Sequence, residues 1–158
     1  MRVFVSVGTH AQQFNRLVKE ADAIAKEKKG MQFFAQIGNC RFEPKNFAFK
    51  RFLNEREFEA EIKKADLVIS HAGAGTIINA MLHKKKLIVV PRLKSFGEHT
   101  NDHQLDLAEA LAAEKKCIAV FNLKDLSNAI AKATRFKPNI ASNKHFLIKK
   151  VKEFIDSI

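Results

Sequence analysis

The chain has 158 residues, 46% of them apolar and 28% charged, with a formal net charge of +11. This is the balance of a folded soluble domain and excludes a disordered chain, and no apolar run approaches the ~20 residues of a membrane-spanning helix. The two cysteines, Cys40 and Cys117, lack metal or redox spacing and argue against a disulfide scaffold.

Residues 2–7 read as a strand. Residues 11–28 place Phe14, Leu17, Val18, Ala21, Ile24 and Ala25 at helical spacing, and Gly30 ends that helix. Residues 31–37 and 47–52 read as the second and third strands. Asn54 and Glu57 form a capping box for a helix Glu55–Lys64, with Phe58 and Ile62 facing inward. A fourth strand covers 66–70 and a helix follows over 75–83. The fifth strand, 87–90, is closed by Pro91, and 92–100 read as a loop. A helix over 102–113 turns Leu105, Ala108, Leu111 and Ala112 inward. The sixth strand is 117–120, and helices over 123–134 and 143–158 are separated by Pro138.

Strands alternating with helices predict right-handed crossovers and a parallel sheet covered on both faces. Leu67-Val68-Ile69 and Leu87-Ile88-Val89-Val90 show little polar alternation, as strands buried on both faces do. The expected architecture is one Rossmann-like α/β domain over 1–158, with about six parallel strands and ligands beyond their carboxyl ends.

Three turns there are rich in small residues. Ser70-His71-Ala72-Gly73-Ala74-Gly75-Thr76 stands where a buried strand becomes a helix. Small residues admit a ligand close to the backbone, the helix start offers free N–H groups, and Thr76 adds a hydroxyl donor. The same residues serve equally well as a tight packing turn. Val7-Gly8-Thr9-His10 faces the same edge, where Thr9 as an ordinary helix cap is the plainer role. Gln36-Ile37-Gly38-Asn39 is the third turn.

A polar run, Gly97-Glu98-His99-Thr100-Asn101-Asp102-His103-Gln104, follows the fifth strand. Asn101, His103 and Gln104 both donate and accept hydrogen bonds, which suits sugar hydroxyls. His99 and His103 are four apart, but no further ligand has metal spacing, so no metal site and no cofactor are expected. Asn101 or Asp102 also serves as a helix cap. Asn79 lies one turn after Thr76. The terminal segment 142–158 reads as an amphipathic helix, its Leu147, Val151, Phe154 and Ile158 stripe flanked by lysines. It suits an anionic membrane or a partner, or it packs on its own sheet.

These turns in this order resemble the C-terminal domain of glycosyltransferase family 28. The pattern runs through Val5–His10, Gln36-Ile37-Gly38, the stretch from Ala65 to Thr76, Val90-Pro91-Arg92, Gly97-Glu98-His99, Asn101-Asp102-His103-Gln104 and Ala108–Leu111. It is similar to the family's single-domain members: the catalytic subunit of the dolichol-linked UDP-GlcNAc transferase and bacterial exopolysaccharide counterparts. The resemblance implies the donor-binding half of a GT-B enzyme. It implies that Ala74, Gly75 and Thr76 hold a diphosphate, with His71 and Gly73 beside it. His103 and Gln104 would read the sugar, with Glu98, His99 and Asn101 around them. Gly8, Thr9 and His10 would line the cleft, with His10 the candidate general base, and Phe52 and Leu53 would lie near the uracil. Many relatives carry a ribose-binding glutamate where this chain has Asn79.

The activity so implied is inverting transfer of a sugar, GlcNAc favoured, from a UDP-sugar to a lipid-pyrophosphate-linked acceptor. A separate membrane-anchored subunit would bind the acceptor, and the chain would sit in the cytoplasm at the membrane face. A non-catalytic nucleotide-sugar-binding scaffold is the alternative. The +11 charge also suits nucleic acid, but no nucleic-acid motif accompanies it, so no specific nucleic-acid partner is expected.

Overall fold

The computed structural model describes residues 1–139 together with Lys149, Lys152 and Glu153. Six strands, β1 (Arg2–Ser6), β2 (Gln32–Gln36), β3 (Ala48–Lys50), β4 (Leu67–Ser70), β5 (Lys86–Val89) and β6 (Ile118–Ala119), form one sheet. Their spatial order is β3-β2-β1-β4-β5-β6 and every pairing is parallel. The helices are α1 (Asn15–Glu27), α2 (Glu55–Lys64), α3 (Ala74–Leu82), α4 (His103–Ala113) and α5 (Leu126–Ala133). The chain thus starts in the middle of the sheet, and the order reverses between β1 and β4. That reversal opens a crevice at the carboxyl ends of these two strands.

Alternate strand residues feed two cores. Val3, Val5, Leu67, Ile69 and Ile88 pack with Leu17 and Val18 of α1 and Ile130 of α5. Phe4, Val68, Leu87 and Val89 point the other way, onto Ile62 of α2, Ile77 and Met81 of α3, and Leu107 and Leu111 of α4. The period-two pleat explains the division. Helix α2 is held by the expected box: Asn54 accepts from the Glu57 N–H at 2.9 Å, and Glu57 accepts from the Asn54 N–H at 3.1 Å. Such a cap contributes about 1 kcal/mol.

Four expectations are corrected. Helix α1 begins at Asn15 rather than at residue 11, because the backbone groups before it bond elsewhere. The Gln12 N–H goes to His10, and the Gln12 and Gln13 carbonyls go to Arg92. Strand β3 is an edge strand of three residues, shorter than the expected 47–52. Residues Lys94–Phe96 form a 3-10 turn inside the expected loop. On α4 the buried face is Leu107, Ala108 and Leu111, with Leu105 only half-buried. The expected terminal helix over 142–158 lies outside the described residues apart from Lys149, Lys152 and Glu153. These three are helical, and Lys149 pairs with Glu153 at 3.7 Å.

Candidate functional site

The crevice holds a first cleft of about 320 Å³, lined by the Gly8-Thr9 turn, the end of β2, the start of α2 and the start of α3. His71 forms its floor. Its ring is clamped between two glycines: a Cβ on Gly8 would lie 2.5 Å from His71 Cε1, and one on Gly73 would lie 2.0 Å from Nε2. Gly8 also has φ +76°, a left-handed conformation that other residues adopt at a cost. The Ser70 hydroxyl donates to the His71 carbonyl at 2.8 Å and lies 3.4 Å from Nδ1. Its only proton is thereby taken up, so Nδ1 must be the donor in that contact and Nε2 keeps the lone pair. Burial, with the Arg92 charge adding to it, lowers the His71 pKa from 6.5 to about 3. The ring is therefore neutral at pH 7.

Above it, α3 starts at Gly73 without a side-chain cap. The first backbone N–H to reach a carbonyl at the helix start is that of Ile77, bonded to Gly73. The N–H groups of Ala74, Gly75 and Thr76 have no carbonyl four residues back within the helix. They and the helix dipole create a positive pole for an anion. Asn79 lines the cleft and donates its amide N–H to the Gly75 carbonyl at 2.9 Å. Leu53 lines the cleft as expected, its N–H held at 3.0 Å by the buried Gln36 side chain. Phe52 does not line it; 49% exposed, it lies outside. Gln36, Glu55 and Phe58 line the cleft but were read only as turn and helix residues. The signal that pointed to them is positional, since α2 starts just past the carboxyl end of β3.

A second cleft of about 380 Å³ lies on the other side of α3's first turn, lined by Ala72, Ala74, His99, Asn101, His103, Gln104 and Leu107. Ala74 belongs to both clefts. Asn101 accepts from the His103 N–H at 3.2 Å just before α4, while Asp102, its N-cap residue, accepts from the Lys94 N–H at 2.8 Å and makes no side-chain cap bond. His103 Nδ1 stands 3.9 Å from the Asp106 carboxylate. His10 stacks on His99 with centroids 4.8 Å apart. Burial lowers its pKa, and His99 and Arg92 lower it further. His10 Nδ1 accepts from the Gln12 N–H at 3.2 Å, which puts the neutral ring's proton on Nε2. As placed, His10 presents a donor, and the lone pair a general base needs is taken up.

Glu98 is also corrected. It is 1% exposed and lines neither cleft; its carboxylate accepts from Arg16 Nε at 2.6 Å and from the Leu93 N–H at 3.0 Å. It belongs to a bracket centred on Arg92, likewise 1% exposed. Arg92 Nη1 donates to the Gln12, Gln13 and Glu98 carbonyls at 2.9, 3.1 and 3.0 Å, and Nη2 to the Val7 carbonyl at 2.6 Å. This bracket ties the turn after β1 to the loop after β5, across the first strand's carboxyl end.

The His71 clamp carries a pH dependence. The folded pKa lies below the unfolded one, so between about pH 6.5 and about 3 the unfolded chain binds the extra proton. The contribution is full above about pH 6.5 and is lost as pH falls towards about 3. The slope reaches at most about 1.4 kcal/mol per pH unit for this group. Urea midpoints of the wild type are expected to fall between pH 7 and pH 4.5 more steeply than those of His71→Asn. Parallel curves would rule out the clamp as the cause.

Known proteins resemble this chain in sequence and in fold. The model described as the glycosyltransferase family 28 C-terminal domain matches residues 2–158. The human UDP-N-acetylglucosamine transferase subunit ALG13 is 36% identical over 120 residues, 71% of this chain and 10% of that protein. The UDP-N-acetylglucosamine--N-acetylmuramyl-(pentapeptide) pyrophosphoryl-undecaprenol N-acetylglucosamine transferase of Prochlorococcus marinus (strain MIT 9312) is 36% identical over 89 residues, 52% of this chain and 24% of that protein. The chain therefore matches only a small part of these two relatives. Among solved structures, Acinetobacter baumannii MurG superposes with a TM-score of 0.57 at 16% identity, over 100% of this chain and 50% of that one.

Proposed function

The chain belongs to glycosyltransferase family 28, and on that premise we propose that it is the donor-binding half of a two-component inverting transferase. It takes a sugar, GlcNAc foremost, from a UDP-sugar to a lipid-pyrophosphate-linked acceptor. One observation carries the reading: the uncapped start of α3 divides two clefts at the sheet's switch point and offers its N–H groups to both sides.

In this reading the UDP lies in the first cleft. Leu53 and Phe58 flank the base, and Asn79 Oδ1 accepts from a ribose hydroxyl. A carboxylate at position 79 would accept from both ribose hydroxyls, so Asn79 weakens nucleotide binding by about 1 kcal/mol. As the glycosidic bond breaks, charge builds on the diphosphate. The N–H groups of Ala74, Gly75 and Thr76 and the Thr76 hydroxyl are in place before that happens, and this preorganisation lowers the barrier. The acceptor hydroxyl must lose a proton, and His10 has no lone pair free for it. This reading places the base on the acceptor-binding half, on a membrane-anchored partner that holds this chain at the cytoplasmic face. The word "subunit" in the human relative's name and the lipid pyrophosphate in the bacterial relative's name support this division. Among the described residues no helix is long and apolar enough to cross a membrane. Phe52, Phe96 and Phe121, all well exposed, follow the carboxyl ends of β3, β5 and β6, on the side a second half would face.

UDP is expected to bind one per chain and to stabilise it by about 2.7 kcal/mol at a hundredfold excess over Kd. Thr76→Val should weaken that binding by roughly tenfold, the loss of one hydrogen bond to a charged group. Transfer should appear only when a membrane partner is co-expressed. No calorimetric heat with millimolar UDP overturns the reading, and full transfer by the lone chain overturns its two-component part.

A further inference from the structure

We propose that the amino edge of the sheet, opposite the crevice, is a binding face for the phosphate backbone of a nucleic acid, held by charge without reading sequence. The face uses none of the crevice residues.

In a parallel sheet each crossover helix runs back against the strands, so the helix C-termini gather at the strands' amino ends. Basic residues gather there too. Lys63 and Lys64 end α2, and Lys132 lies in the last turn of α5. Lys84 and Lys115 stand just past α3 and α4, and Arg135 and Lys137 just past α5. Hydrogen bonds join these ends into one surface. Lys85 Nζ donates to the Lys63 carbonyl at 2.6 Å, Lys86 Nζ to the Thr134 carbonyl, and the Asn139 N–H to the Lys115 carbonyl at 2.9 Å. Carboxylates at this edge are already engaged: Glu59 with Lys63, Glu61 with Arg2 and Lys64, and Glu114 with Lys116. Lys84, Lys115, Lys132, Arg135 and Lys137 are all exposed, and none is in a salt bridge among the described residues. Residues 140–158 add four lysines and two acids, so their charge does not offset the patch.

A lysine in a helix's last turn complements the helix dipole, and that accounts for Lys132. Lys84 and Lys115 sit differently. Their φ values are 53° and 55°, in the left-handed region. Each closes a Schellman motif: the Lys84 and Lys85 N–H groups bond the Met81 and Ala80 carbonyls, and those of Lys115 and Lys116 bond the Ala112 and Leu111 carbonyls. Glycine is the usual residue at that position, because a Cβ there crowds the next carbonyl oxygen. The dipole could be served from the last turn without strain. Twice, the chain instead keeps an exposed cation at a strained site, the mark of a position held for function.

The face also shows which anion it suits. Its unpaired cations are lysines apart from Arg135, point charges that follow phosphates without reading bases. Among the described residues the large exposed apolar side chains are Phe52, Phe96 and Phe121, all beyond the strands' carboxyl ends. The amino edge therefore has no platform for stacking bases and no apolar anchor for a bilayer. A row of phosphates needs neither. A bilayer on this edge would also turn the crevice away from the lipid-linked acceptor of the reading above.

The test is fluorescence anisotropy of a labelled mixed-sequence DNA duplex of about 20 base pairs, titrated with the full chain from about 50 to about 200 mM salt. Binding should be saturable at low salt, and log K should fall against log salt with a slope of about −4.5, as five phosphate contacts require. Lys84→Gly/Lys115→Gly puts the favoured residue at both strained sites. Its Tm should be no lower than that of wild type, its affinity at low salt at least about tenfold weaker, and its slope smaller by about 2. Lys94→Gln/Lys124→Gln removes the same charge from beyond the carboxyl ends of β5 and β6 and should bind nearly as wild type does. Millimolar UDP should not displace the duplex. No saturable binding at low salt overturns the proposal, as does an equal loss in the two double variants. Displacement by UDP would put the duplex in the crevice and overturn it too. Tighter binding to phosphatidylglycerol vesicles at equal phosphate, lost in Lys84→Gly/Lys115→Gly, would give the face to a bilayer instead. Calorimetry with UDP tests the donor-binding reading separately, and its outcome leaves this one standing or falling by itself.

Discussion

Gly73→Ala is expected to destabilise the domain by about 1–3 kcal/mol, the usual cost of overpacking a filled site, and to cut UDP affinity at least about a hundredfold. The backbone is not the cause, because Gly73 has φ −94° and ψ 128°, a conformation any residue adopts. The added methyl would stand 2.0 Å from His71 Nε2, 2.6 Å from Cε1 and 2.8 Å from Cδ2. Gly8 limits any retreat of the ring, because a Cβ there would already lie 2.5 Å from Cε1. Either His71 leaves its seat or α3 shifts, and both displace the N–H groups of Ala74 and Gly75. Thermal unfolding should show a Tm lower by about 2–4 °C per kcal/mol in a domain of this size. The double variant His71→Ala/Gly73→Ala removes the clash and should be no less stable than His71→Ala alone, a coupling that a cycle measures directly. Wild-type stability and UDP binding in Gly73→Ala would mean that the clamp does not exist.

Arg92→Ala is expected to cost about 3–5 kcal/mol, the range for removing one partner from a buried charge network. The guanidinium serves four carbonyls, those of Val7, Gln12, Gln13 and Glu98, from a position that is 1% exposed. Its removal leaves those oxygens buried without a donor. Against a typical total stability of about 5–15 kcal/mol, such a loss brings the domain close to unfolding. Arg92→Lys keeps the charge but not the planar fork, so it should recover about half of the loss. Urea midpoints at constant m-value measure both variants. If Arg92→Ala unfolds within 1 kcal/mol of wild type, on the order of a surface substitution, the bracket is not structural.

Much of the fold was legible beforehand because it is local. Strands β4 and β5 have apolar runs that suit only burial on both faces, and helix α2 carries its own capping box. The alternation of elements leaves few topologies beyond a parallel sheet. The residues of the turns after β1 and β4 left their role open: the first suits a helix cap and the second a packing turn as well as close approach to a ligand. The boundaries least well read were those set by distant partners. Residues 11–14 carry helical spacing, yet Arg92, 80 and 79 positions away, takes the Gln12 and Gln13 carbonyls and delays α1 to Asn15. The resemblance implied Glu98 as a sugar-site residue, and Arg16 arriving from α1, with the Leu93 N–H, turns it inward.

Residue types and their order sufficed for the parallel architecture, because hydrophobic period and caps act within a few positions, and the order of the turns sufficed for the family resemblance. The direction in which each polar side chain points was decided by the folded chain alone. His10, His99, Asn101 and Gln104 each have a donor and an acceptor in the sequence. Only the backbone N–H groups packed against them in three dimensions fix which way each ring or amide is turned.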